Sequence, residues 1–175
     1  MSTARPSELS RTSEVVAKYG DAQKFLDRFN PSWQLRCHKD LDLVVKNSGV
    51  SMRNMANAYG EDKLKFWLEL QVSELGKVFK GVDDEAVQAL AKMIYASRPD
   101  LKCAEVMAFL GGVSLGEYGE IYGFDVYQII RLLPNFIARR NECINRMEQE
   151  ERKRRDEEHK KNCITYEEYK RLRDE

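Results

Sequence analysis

An all-α fold is what this sequence predicts, and three observations carry it. Apolar residues recur at helical spacing through most of the chain, while strand-like alternation is scarce. Only four prolines occur in 175 residues, so long stretches are free to be helical. The last third is dense in acidic residues that precede a basic one by four positions, a pairing that supports helix without a core partner. The length favours one domain with an appended element. Apolar content of 42% beside 33% charge suits a compact multi-helix core with an extended charged C-terminal helix. The expected division is a flexible tail at 1–10, a helical core at 11–147, and a charged helical arm at 148–175 that ends in a short capped helix.

In chain order, Thr12 or Ser13 caps a helix running towards Phe29, interrupted at Gly20. Asn30-Pro31-Ser32 breaks and restarts the chain. Trp33 to Asn47 then reads as a helix with Trp33, Leu35, Leu41, Val44 and Val45 as its apolar positions. Ser51 caps a short helix that Gly60 closes. The clearest amphipathic helix follows, with Leu64, Trp67, Leu68, Leu75, Val78 and Phe79 at helical spacing and Phe66, Leu70 and Val72 widening its face, as far as Gly81. Asp83 or Asp84 starts a helix bearing Val87, Leu90, Ala91, Ile94 and Tyr95. Asp100 caps another, Leu101 to Leu110.

Half of the ten glycines then fall between Gly111 and Gly123, interleaved with Tyr118 and Tyr122. This is a Gly/Tyr-rich elbow between two helices. Beyond it Asp125 is an N-cap with Gln128 at N3, and Val126 to Met147 carries an apolar stripe that Pro134 kinks or restarts. Past Met147 the stripe stops. Glu148/Arg152, Glu150/Arg154, Glu151/Arg155, Asp156/Lys160 and Glu157/Lys161 then follow at i, i+4. Thr165 with Glu168 forms a capping box, and Ile164 with Tyr169 a hydrophobic staple, so Tyr166 to Arg173 is expected as the last helix.

Charge argues against a dedicated nucleic-acid binder. Lys/Arg and Asp/Glu number 29 each, and no one region is strongly basic. Cys37, Cys103, Cys143 and Cys163 show no paired spacing, so free thiols in a reducing cytoplasm are expected. The first residues lack the apolar run of a secretory signal, and no stretch reaches the length of a membrane span.

Each candidate site has a plain structural alternative. One reading of the elbow is a phosphate cradle of backbone N–H groups, yet it holds Glu117 and Glu120, and no Lys or Arg lies between Lys102 and Arg131. A structural joint is the better reading, with glycines giving positive φ or close approach and tyrosines packing the turn. Ser51 to Leu70 has helix-turn-helix spacing at Ala56 and Gly60, with Phe66 as the next core position. Its second helix opens Glu61-Asp62, which would face phosphates, so an ordinary helical hairpin is favoured. Arg139, Arg140 and Arg152-Lys153-Arg154-Arg155 are basic clusters that suit phosphate or an acidic partner. Two histidines and four scattered cysteines fall short of a zinc signature. A Cys–His nucleophile would need Cys37 or Cys103 brought to His38 and a carboxylate by the fold. The expectation is therefore no catalytic residue, no cofactor and no metal.

Three blocks carry a resemblance: Met52-Arg53-Asn54-Met55-Ala56-Asn57-Ala58-Tyr59-Gly60 with Trp67-Leu68, Leu101 to Phe109, and Gly116-Glu117-Tyr118-Gly119-Glu120-Ile121-Tyr122-Gly123 with Asp125. In these the chain resembles an uncharacterised family of small proteins from Bacteroidetes genomes, their phages and mobile elements. It departs from that family at Gly111-Gly112-Val113, where basic residues are frequent, and at Asp125, which stands one residue early. The resemblance implies a setting and no reaction. Together these readings lead to a non-enzymatic protein-interaction module of phage or mobile-element origin in the bacterial cytoplasm. Its partner would be met by Tyr118, Tyr122, Arg139, Arg140 and Arg152 to Arg155. The alternative is a DNA-binding accessory protein of phage or mobile-element replication or transcription.

Overall fold

The computed structural model describes residues 6–47, 49–162 and 170–171, and these form an all-α domain. Ten α-helices are present among them: α1 Pro6–Tyr19, α2 Ala22–Arg28, α3 Gln34–Lys39, α4 Leu41–Lys46, α5 Met52–Tyr59, α6 Glu61–Ser73, α7 Asp84–Ser97, α8 Cys103–Ser114, α9 Val126–Arg131 and α10 Leu133–Asn162. The sequence leads one to expect six or seven; three expected helices each divide, the last into α9 and α10 just before Pro134. Gly20, at φ +80°, ends α1, and Asp21 restarts the chain by accepting from Lys24 N–H at 2.9 Å. Further on, the expected Trp33–Asn47 helix is a 3₁₀ turn, Pro31–Trp33, followed by α3 and α4 with a break at Asp40. The stretch assigned to a tail is helical from Pro6. The capping box at Thr165, the staple and Cys163 lie outside the described residues.

Helix α8 is the centre of the domain. Residues Val106 to Val113 are all buried, and α3, α4 and α6 pack around it. A helix apolar on every side belongs inside. It begins later than Asp100, which instead pairs with Arg98 at 3.0 Å. The backbone N–H of Lys102 is capped by Glu105 Oε2 at 3.0 Å. Just before this start the chain lies against the start of α5. Met52 N–H donates to Leu101 O and Cys103 N–H to Val50 O, both at 2.9 Å.

Helix α6 buries Leu64, Trp67, Leu68, Gln71 and Val72, then passes into a 3₁₀ turn, Glu74–Lys77. Phe66 and Leu70 are exposed, so the buried face is narrower than the apolar pattern suggests. A buried amide pair joins α3 to α6. Gln34 Nε2 donates to Gln71 Oε1 at 3.0 Å and to Gln71 O at 2.8 Å, while Gln71 Nε2 and Trp67 Nε1 both donate to Phe29 O. Every donor here is matched, which is what makes such a polar core tolerable.

Candidate functional site

The glycine–tyrosine segment divides into a helix end and a turn. Gly111 and Gly112 are the last turn of α8 rather than part of a loop. A Cβ on Gly111 would lie 2.5 Å from the carbonyl oxygen of Gln34, so α3 and α8 cross in backbone contact. After Ser114 the chain leaves the helix through Gly116 at φ +71°. Gly116 N–H donates to Val113 O at 3.1 Å and Glu117 N–H to Gly112 O at 3.0 Å. This 5→2 and 6→1 pair is a Schellman ending, which satisfies carbonyls left open at the helix terminus.

That ending drives Tyr118 into the core. Its ring stacks on Phe109 at 6.0 Å and meets Phe136 edge-on at 5.7 Å. Its hydroxyl lies 3.2 Å from His38 Nδ1, and its carbonyl accepts from Asn135 Nδ2 at 2.9 Å. Tyr118 is 7% exposed, which corrects its assignment as a partner-binding residue: it is the pin that joins α3, α8 and α10. Tyr122 is the opposite case. It is 93% exposed and donates only to Glu120 Oε2, at 2.7 Å.

The basic candidates divide in the same way. Arg140 Nε donates to Glu105 Oε1 at 2.7 Å, and Glu105 is fully buried, so Arg140 neutralises a core carboxylate. Arg139 reaches Glu117 on the elbow at 3.3 Å. Arg146, which sequence reasoning passed over, grips Asp42 of α4 with both carboxylate oxygens within 2.7 Å of Nη2. These three arginines fasten the first half of α10, whose Leu133, Phe136 and Cys143 are buried. From Glu148 to Lys161 the helix is exposed on all faces, and Arg152, Lys153, Arg154 and Arg155 lie there. Of the five i, i+4 pairs, Glu151–Arg155 closes.

Acid–base chemistry finds little purchase. Burial pushes the Cys37 thiol up, with Asp40 adding to it. Burial does the same to Cys103, whose Sγ rests 3.9 Å from Met55 Sδ, and to Cys143. A thiol held protonated is a poor nucleophile. His38 is driven towards its neutral form by burial and then by Arg139. Among the described residues no group of three or more His, Cys, Asp or Glu is placed to hold a metal ion, and no helix is long and apolar enough to cross a membrane.

A groove of about 560 Å³ opens between α1–α2 and α3–α4, with Tyr19, Phe29 and Met107 among its apolar lining and Arg28, Trp33 and Arg36 around them. Sequence reasoning missed it. Its only sequence trace is the repeated neighbourhood of cation and aromatic, Lys18-Tyr19, Arg28-Phe29 and Trp33 with Arg36 three residues on.

Residues 64–175, about two thirds of the chain, match the model of a family described as a family of unknown function, DUF6633. The match opens in α6 and takes in the elbow and α10. No curated protein and no solved structure matches the chain.

Proposed function

This chain belongs to DUF6633, a family of unknown function, and for it we propose a non-enzymatic protein-interaction module whose contact surface is the exposed half of α10. The observation that carries the reading is the division within that one helix. Its first half buries one face through Leu133, Phe136 and Cys143 and is ion-paired to the rest of the domain at Glu105, Glu117 and Asp42. Its second half, Glu148 to Lys161, touches water on every side. A continuous 30-residue helix is roughly 45 Å long at about 1.5 Å per residue. A surface already helical and fixed at its base loses little further freedom when a partner arrives, which favours binding. Tyr122, 93% exposed, is an aromatic available as an anchor. The resemblance of the three sequence blocks supports a phage or mobile-element origin.

The second reading is a DNA-binding accessory. It is favoured by Arg152, Lys153 and Arg154, which are exposed and close no ion pair among the described residues. Interleaved Glu148, Glu150, Glu151, Asp156, Glu157 and Glu158 offset them, so the protein-binding reading stands first.

Deletion of residues 148–175 tests the proposal. The truncated chain should unfold cooperatively, as the full chain does, and lose the proteins that the full chain retains in pull-downs from its native host. Collapse of the core on truncation would overturn the reading. Gel shifts with duplex DNA at low and moderate salt should show no complex; a strongly salt-dependent shift abolished by the same deletion would put the DNA reading first.

A further inference from the structure

We propose that the groove between α1–α2 and α3–α4 is a docking site for an acidic peptide segment carrying one aliphatic or aromatic anchor residue. The site lies apart from the α10 arm and does not depend on the reading of that arm. Three observations carry it.

The first is charge. The groove brings Arg28 and Arg36 beside a single carboxylate, Asp40. Asp40 approaches Arg36 only loosely, at 3.7 Å. Arg28 has no carboxylate partner among the described residues. Arg28 and Arg36 thus leave this part of the lining net positive in a chain whose Lys/Arg and Asp/Glu are equal in number.

The second is how the cations are held. The Arg28 guanidinium carbon lies 5.3 Å from the centre of the Tyr19 ring, and that of Arg36 lies 4.9 Å from the Trp33 ring. Stacking on an aromatic face restricts the guanidinium while leaving the N–H edge available, and that edge matches a carboxylate with two parallel hydrogen bonds. The arginines are therefore arranged before any ligand arrives.

The third is the apolar character between them. Tyr19, Phe29 and Met107 face the cavity, and Trp33 and Leu43 stand at it 45% and 59% exposed. A volume of about 560 Å³ takes a large side chain and its neighbours, within the usual range of roughly 300–1,000 Å³ for ligand sites. An apolar pocket flanked by cations is complementary to an apolar residue flanked by carboxylates.

The same stacking argues against a single-stranded nucleic acid as the occupant. Binding of that kind depends on aromatic faces free to stack on bases. Here the Tyr19 ring is met by Lys18 and Arg28, and Trp33 by Arg36.

The test uses the full chain and a fluorescein-labelled peptide of about ten residues, with Asp and Glu on both sides of a single Phe. Polarisation should rise to saturation, and intrinsic emission should shift, because Trp33 lies at the groove while Trp67 is fully buried. Trp33→Phe should abolish that shift. Arg28→Glu with Arg36→Glu should weaken binding at least about tenfold, and Arg28→Gln with Arg36→Gln by a smaller factor, with far-UV circular dichroism unchanged. Raising salt from about 0.05 to 0.3 M should weaken it too, since the cations are solvent-exposed. A peptide of equal charge with Ala in place of Phe should bind several-fold more weakly. Absence of binding at millimolar peptide, or binding indifferent to both arginine pairs, would overturn the proposal. So would a thymidine oligomer that binds more tightly through the same arginines, which would make nucleic acid the occupant.

Discussion

The ring of Tyr118 occupies the space that a side chain on Gly112 would need: a Cβ there would lie 2.3 Å from Tyr118 Cε2. The two residues face each other across the Schellman ending of α8, so the glycine is required by the tyrosine. Gly112→Ala should therefore destabilise the domain by about 1–3 kcal/mol through overpacking, even though alanine is the better helix former by about 1 kcal/mol. In a Tyr118→Ala background the same substitution should cost far less, and the double-mutant cycle measures the difference. Gly111→Ala should be worse than Gly112→Ala, because its obstacle is the backbone carbonyl of Gln34, which cannot rotate away. Equal costs for Gly112→Ala with and without Tyr118 would refute this account.

Arg140 and Glu105 set up a sharper contrast among the basic residues. Glu105 is fully buried and accepts from Arg140 Nε and from its own helix's N-cap N–H. Arg140→Leu leaves a core carboxylate without its counter-charge, and about 3 kcal/mol should be lost. Arg152→Leu, on the exposed half of the same helix, should change stability by less than about 0.5 kcal/mol. Urea denaturation of the two variants gives the comparison. Comparable losses would mean that the arm is packed structure.

Lys102 closes the end of a different helix. Its Nζ donates to Val45 O and Asn47 O, each at 2.9 Å, carbonyls at the C-terminal end of α4 that have no further turn to accept from. A cation there also meets the negative end of the helix dipole. Lys102→Met keeps the stem and removes the donors. It should cost about 1–2 kcal/mol and speed hydrogen exchange in α4 ahead of α7.

These cases mark which features could be read from the chain. Helices α5 and α7 were legible because their signals are local. Ser51 and Asp83 accept from Asn54 N–H and Ala86 N–H, and Gly60 supplies the positive φ that ends α5. The restart at Pro134 and the cap at Asp125 were legible for the same reason. The α3–α4 region was not. In α3 the buried residues are Gln34 and His38 while Trp33 and Leu35 are exposed, although Leu41 and Val45 of α4 are buried as their pattern suggests; the inversion of hydropathy in α3 is made possible by partners far along the chain, Gln71 and Tyr118. The groove is illegible in the sequence for a related reason: its cations and rings come from helices that only the fold brings together. Of the elbow tyrosines, sequence spacing treats both alike. The difference between a buried Tyr118 and an exposed Tyr122 arises from the direction in which Gly116 turns the chain.

Burial of His38 and Tyr118 should make stability depend on pH at both ends of the scale. His38 is held below its ordinary value of 6.5 by burial first and by Arg139 next, against smaller opposing effects of Glu117 and the Ala108 backbone. Well above pH 6.5 both folded and unfolded chains carry the neutral ring, and the stability is complete. As pH falls below that value the unfolded chain takes up a proton that the folded chain resists, so stability declines until the pH passes below the folded value. Tyr118 works in the other direction. Burial raises its phenol from 10.0 to about 12, so between those values the unfolded chain loses its proton first and stability falls as pH rises. His38→Gln should be less stable near pH 8, yet show a flatter decline between about pH 7 and 5. Tyr118→Phe should remove the phenol's share of the alkaline decline, while the thiols of Cys37, Cys103 and Cys143, also raised by burial, keep the rest. Urea midpoints across both ranges measure this, and an acid slope unaltered by His38→Gln would show that carboxylates elsewhere set the acid limit.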